Sequence, residues 1–179
     1  CFLLEETDKP YSLLLNFTYI FLDLTMILYH YTNLPAGVKI MQEGFIRVAN
    51  EMQNPALWFS KKPVYDASAL KDFKENGIVK SNSFINQIKT HGCMRFVYDD
   101  TNNLTSWREF LKISSLPKDQ YEKIEKIYIK IGCNPLEWFC SFKNMSLKLF
   151  NSIEVYNDKW DWANEDNIQA AIRNAKKLN

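Results

Sequence analysis

Three short segments bring together residue types that can do chemistry. In residues 28–33, LYHYTN, His30 stands near the end of a β-prone run with Tyr31 and Thr32 beside it. An imidazole there can bond a ligand hydroxyl, with Thr32 as a second polar contact, or it can be satisfied by backbone in a half-buried strand. In residues 55–70, PALWFSKKPVYDASAL, Trp58 and Phe59 lead to Ser60, a polar turn follows, and Tyr65 comes after the turn. Rings so spaced can form a slot for a flat heteroaromatic group, each stacked base being worth roughly 1–3 kcal/mol. They can also be core. In residues 134–142, NPLEWFCSF, Glu137 follows Pro135 and precedes an apolar strand, so its carboxylate would stand at a strand entrance or on a solvated edge. Glu154, in SIEVYN, alternates with Ile153 and Val155 and reads as the outward side of a strand.

The elements that must position these residues are partly readable. Residues 27–31 form a strand ended by Thr32 and Asn33. Asn33 then caps a helix through Leu34, Val38, Ile40 and Met41 that closes at Gly44. Residues 45–48 and 56–59 are strands, the second stopped by Ser60 and the Lys61–Lys62–Pro63 turn. Residues 64–76 read as a helix carrying Tyr65, with Leu70 and Phe73 inward and Gly77 as its stop. Residues 83–88 and 94–98 are strand candidates around His91–Gly92. A short helix fits residues 107–113. After Pro117 a helix places Tyr121, Ile124, Tyr128 and Ile131 on one face. Strands at 138–142 and 153–156 and a terminal helix at 164–178 complete an α+β pattern with strands dominating the centre.

Composition narrows the classes. The chain has 179 residues with 22 basic and 21 acidic side chains, so no whole-protein field draws it to nucleic acid or acidic membranes. With 46% apolar and 24% charged residues it can build an ordinary core, which excludes a disordered or collagen-like chain. Aromatics make up 15%. Those outside the three segments, Trp160 and Trp162 among them, are assigned to core packing. Cys1, Cys93, Cys133 and Cys140 form no C-x-x-C pair, and only His30 and His91 supply imidazole, so no metal site is expected. Scattered thiols of this kind read as reduced, buried cysteines of a cytoplasmic protein.

The N-terminal stretch 11–28 is apolar but broken by Asn16 and Asp23. A spanning helix needs about 20 mostly apolar residues, and a central charge costs on the order of 2.5–3.5 kcal/mol. The preceding CFLLEETDKP is acidic and has no basic n-region. Residues 1–25 are therefore expected to be an appended segment, upstream of a natural start at Met26, with residues 26–179 as a single domain and no membrane partner.

Taken together, the three segments resemble the ADP-ribosyltransferase-like superfamily of the diphtheria-toxin and poly(ADP-ribose) polymerase type, whose members carry a His-Tyr-Glu triad on three strands. His30, Tyr31 and Thr32 with the downstream helix and Gly44 are similar to the first motif. Leu57 to Ser60 with Tyr65 look like the second, and Glu137–Trp138 leading to Ile153–Tyr156 look like the third. Trp58 stands where many members have tyrosine, and its spacing to Tyr65 is short. The resemblance implies a split β-sheet core with flanking helices and NAD as the ADP-ribose donor. It implies His30, Tyr65 and Glu137 as catalytic residues, with Glu154 competing with Glu137 for the carboxylate role. It further implies that His30, Tyr31, Thr32, Trp58, Ser60 and Tyr65 hold the dinucleotide. Arg47 or the Lys61–Lys62 pair would meet the pyrophosphate. The acceptor would be a protein or a nucleic acid, and stand-alone members are often toxins or factors in phage–host conflict. Two alternatives stay open: an NAD-dependent RNA 2′-phosphotransferase, and a non-catalytic module that binds a dinucleotide or a protein.

Mass spectrometry of the native product is expected to find an N-terminal peptide beginning at Met26; a peptide covering Leu3 to Lys9 would overturn that start.

Overall fold

The computed structural model describes residues 26–49, 55–70, 73–75, 78–80 and 83–177. Residues 1–25, and with them the expectation of an appended segment, lie outside the described residues. Strand β1 (Leu28–Asn33) runs directly into helix α1 (Leu34–Glu43). Asn33 makes the switch: its side chain accepts a bond from the Ala36 N–H at 2.8 Å, and Pro35 occupies the first turn, where no N–H is needed. Gly44 ends the helix at φ 77°, ψ 9°, a left-handed cap that glycine adopts at little cost.

Strands β2 (Phe45–Ile46) and β3 (Leu57–Ser60) follow. The helix expected over residues 64–76 is not formed. A single 3-10 turn, Ala67–Ala69, is capped by Asp66, and the chain then makes a hairpin of β4 (Phe73–Glu75) and β5 (Ile78–Lys80). The sequence places Asn76–Gly77 between those strands, a pair that favours tight hairpins over helix continuation.

The strand expected at 83–88 is instead part of helix α2 (Phe84–His91), whose first turn is capped by Ser83. Short apolar runs are ambiguous between the two periods, and here the cap decides. Strand β6 (Cys93–Tyr98), strand β7 (Thr105–Ser106) and helix α3 (Trp107–Ile113) come next. A reciprocal capping box between Ser106 and Glu109 starts α3.

Helix α4 (Lys118–Lys130) packs Tyr121, Ile124 and Tyr128, half-buried, against the core as its pattern requires. Ile131 stays 53% exposed, because the helix ends one residue before it. Strands β8 (Trp138–Ser141), β9 (Met145–Ser146), β10 (Ser152–Asn157) and β11 (Lys159–Trp162) precede the last helix, α5 (Glu165–Lys177). Strand β11 was not anticipated.

Seven strands form one antiparallel sheet in the order β11–β10–β6–β1–β3–β8–β7, with β2–β9 and β4–β5 as separate pairs. One sheet face carries Leu28, Phe59, Phe96, Met94 and Val155 under α1 and α5. The other carries Trp58, Trp138 and Cys140 under α3 and α4. The join between β1 and β3 is the thinnest in the sheet. Six residue pairs link β1 to β6 and four link β3 to β8, but only Tyr29 and Ser60 pair across β1 and β3. Among the described residues no helix is long and apolar enough to cross a membrane.

Close approach of α1 to the sheet requires glycine at position 37. A Cβ there would meet Met94 Cβ at 2.9 Å and Cγ at 3.0 Å, and would strike Sδ. Gly37→Ala gains about 1 kcal/mol of helix propensity, yet overpacking at a rigid contact typically costs about 1–3 kcal/mol. Urea denaturation should therefore show a net loss of stability; an unchanged or raised midpoint would contradict this packing.

Candidate functional site

A cavity of about 430 Å³ opens where β1 and β3 part. Consecutive residues of both strands border it, Tyr29 to Tyr31 and Leu57 to Ser60, as expected where a ladder is nearly open. Of the residues singled out in the sequence, His30, Tyr31, Trp58, Ser60 and Arg47 line the cavity; Thr32, Tyr65 and Glu137 do not.

His30 packs between the rings of Phe59 and Phe96, and its Nδ1 lies 2.9 Å from the Trp58 carbonyl oxygen. A carbonyl only accepts, so Nδ1 carries the proton and Nε2 is left as an acceptor. Burial lowers the pKa of the ring against the opposing pull of the Trp58 carbonyl, keeping the imidazole neutral at pH 7. The side-chain bond spans the same two strands whose backbone ladder is nearly absent. The backbone-satisfied reading of His30 thus applies to Nδ1, which the Trp58 carbonyl engages.

The polar wall is built around Asp66, which the sequence reading passed over. It is 1% exposed and accepts five hydrogen bonds. Ser60 Oγ donates at 2.5 Å and Trp138 Nε1 at 3.3 Å to Oδ2; Ser68 N at 2.9 Å, Ser68 Oγ at 2.7 Å and Cys133 Sγ at 3.3 Å donate to Oδ1. Burial opposes the charged form, but the donors from Ser60, Ser68 and Cys133 outweigh it and hold the carboxyl below its ordinary range. The only local hint is the Asp-Ala-Ser sequence, which fits a capped turn. Nothing local announces that Trp138 and Cys133 converge on it.

A second cluster lies on the same sheet face as Tyr29 and Tyr31. Glu154 is not on a solvated side: Arg95 Nε and Nη2 reach its Oε2 at 2.6 and 2.5 Å, and Ser152 Oγ donates to Oε1 at 2.9 Å. The guanidinium sits 4.7 Å from the Tyr29 ring centroid and 4.4 Å from that of Trp160, and also donates to the Pro63 carbonyl. Cross-strand register produces this, since Tyr31 faces Arg95 and Arg95 faces Glu154. Tyr65 stacks on Phe84 at 4.3 Å and meets Tyr31 edge-on at 6.0 Å. Its hydroxyl is buried without a partner among the described residues, and burial raises its pKa. Trp160 thus has an electrostatic role, while Trp162 is 63% exposed and is not core.

Glu137 ends a 3-10 turn, Pro135–Glu137, just before β8. Asn134 Nδ2 donates to its Oε1 at 3.1 Å, and its Oε2 is buried without a partner among the described residues. The basic residues are committed locally. Lys62 Nζ donates to the Gly132 carbonyl at the end of α4, Lys61 lies 5.3 Å from the Phe139 ring centroid, and Arg47 pairs with Glu43 at 3.1 Å. Cys93, Cys133 and Cys140 are buried free thiols, each pushed up to about 12 by burial. Cys93 and Cys140 are packing groups, as the sequence suggested, Cys133 also donates to Asp66, and Cys1 lies outside the described residues. Among the described residues no cluster of His, Cys, Asp or Glu is placed to hold a metal ion. Comparison with family models, with curated proteins and with solved structures finds no match.

Asp66→Asn should destabilise the fold by about 2–3 kcal/mol, because the new amide hydrogens confront donors already aimed at the carboxylate. A folded-state pKa below the unfolded value means the carboxylate stabilises the fold above the unfolded pKa and loses that contribution as pH falls through the folded one. Urea titrations from neutral pH through the carboxylate range should show a smaller acid-induced loss in Asp66→Asn than in the parent; equal losses would contradict this.

Proposed function

We propose that the chain transfers ADP-ribose from NAD to a macromolecular acceptor, on a fold of the ADP-ribosyltransferase type. The observation that carries this reading is the cavity at the β1–β3 opening, where His30, Tyr31, Trp58 and Ser60 from two separated sequence motifs meet. The thin join between those strands also suits the split sheet of that fold. NAD supplies a glycosidic bond to nicotinamide whose cleavage makes ADP-ribose available to a nucleophile. His30 Nε2 is the acceptor for a ribose hydroxyl, its tautomer set by the Trp58 carbonyl. Trp58 offers an indole to the flat ring. Arg47 is 65% exposed at its side chain and can swing from Glu43 to a pyrophosphate.

The carboxylate this reading uses is Glu154 rather than Glu137. Glu154 shares a sheet face with Tyr29 and Tyr31, and the Arg95 clamp fixes its orientation, the condition for stabilising positive charge developing on a ribose. The choice rests on that shared face and on the clamp, since neither Glu154 nor Glu137 is part of the cavity lining. Asp66 lines it but its oxygens are filled, so it positions Ser60 and Trp138 and does not act on the substrate. Tyr65 backs the Tyr31 ring.

A second reading, a dinucleotide-binding module without catalysis, is favoured by one observation. Among the described residues, Asp66 is the only carboxylate in the cavity lining, and five donors already engage it. Incubation with NAD labelled in its adenylate half and a cell extract should place label in macromolecules, and protease or nuclease treatment names the acceptor. Glu154→Gln should lower transfer by about 100-fold or more, while NAD at about 100 times its Kd still stabilises that variant by about 2.7 kcal/mol. Transfer intact in Glu154→Gln but lost in Glu137→Gln would move the carboxylate role to Glu137. Stabilisation without transfer by the parent chain would establish the binding module. No stabilisation and no transfer would remove NAD from the account.

A further inference from the structure

We infer that the inner part of the cavity is a binding site for an uncharged, planar aromatic small molecule of more than one ring. This goes beyond the NAD reading and does not depend on it. The walls are Trp58, Trp107, Phe110, Leu116, Ile124 and Tyr128, carried by β3, by the α3–α4 pair and by the link between them. Their rings are mutually fixed: Trp107 stacks on Phe110 at 5.6 Å, and Trp58 meets Phe110 edge-on at 4.8 Å.

Size and wall chemistry select the ligand class. An apolar cavity of about 150 Å³ stays dry and takes a single benzene ring. The cavity as a whole, from the β1–β3 opening to these walls, measures about 430 Å³, room for fused rings with a substituent, and one pyridine ring beside His30 would leave most of it unfilled. None of these six walls is charged, Asp66 is enclosed by its donors, and Arg47, 65% exposed at its side chain, stays with solvent and not with the inner walls. A neutral ligand follows.

The space is also braced against collapse. Trp107 Nε1 donates to Glu125 Oε1 at 2.6 Å, and Arg108 Nη1 reaches the same oxygen at 2.9 Å, tying α3 to α4. On the sheet side, Trp138 is held by Asp66. Such bracing keeps a pocket preformed, the usual condition of small-molecule sites.

Calorimetry and ligand-observed NMR with indole as the probe test the assignment. The parent chain should bind indole saturably at one site. Ile124→Trp, which fills the space, should weaken binding at least tenfold. Ile127→Trp, on the exposed side of the same helix, should leave it unchanged. Leu116→Phe serves as the filling variant if Ile124→Trp does not fold. Absent or non-saturable binding by the parent, or equal affinity in a folded filling variant, overturns the proposal. Thermal shifts with NAD run in parallel. Indole binding without an NAD shift removes NAD alone, and an NAD shift without indole binding removes this site alone.

Discussion

A single buried carboxylate holds the candidate site together. Asp66 gathers Ser60 from the end of β3, Ser68 from the turn that follows, Cys133 from the end of the α4 segment and Trp138 from the start of β8. These groups come from two stretches of chain about 70 residues apart, 60–68 and 133–138. A desolvated charge is tolerated only when its lone pairs are filled, so the arrangement is all or nothing. Because Trp138 and Ser60 are also register partners across β3 and β8, the carboxylate locks the strand pair that forms the cavity wall. Its own segment stays irregular because its side chain is spent on capping and on these long-range donors.

The opening between β1 and β3 is the counterpart of that lock. A sheet with one residue pair at a join has few ladder bonds there, and other contacts must hold the two halves together. His30 supplies one through the Trp58 carbonyl, and Tyr31 supplies another by donating to the Lys62 carbonyl. Arg95 adds a third, reaching from β6 to Pro63 while its faces are covered by Tyr29 and Trp160. Side chains thus do the work of backbone at this join. The result is a gap bordered by functional groups, where a fully paired ladder would have left none.

Much of the frame was legible from local chemistry. The Asn33 cap, the Gly44 stop, the span of α3 and the amphipathic pattern of α4 each depend on residues within a turn or two of one another. The motif strands β1 and β3, and the strand after Glu137, were legible for the same reason. The segments misread were those where two local signals competed. Ser83 and the apolar run behind it fit a capped helix as well as a strand, and Asn76–Gly77 fits a hairpin as well as a helix stop. Of the residues expected to hold a dinucleotide, His30, Tyr31, Trp58, Ser60 and Arg47 were found lining one cavity. Tyr65 and Glu137 were not, because their place depends on which way a loop and a 3-10 turn fold.

What the sequence alone determined is the α+β class, most element boundaries and the two motif strands whose parting makes the cavity. These follow from periodicity and capping, which act over a few residues. Tertiary structure alone decided that Asp66 is buried and five-fold bonded, that Glu154 faces Arg95, and that α3 and α4 brace an apolar chamber. Each of those depends on residues 18 to 72 positions apart reaching hydrogen-bond distance. Such convergence is set by strand register and by helix packing on the sheet, and no local pattern encodes it.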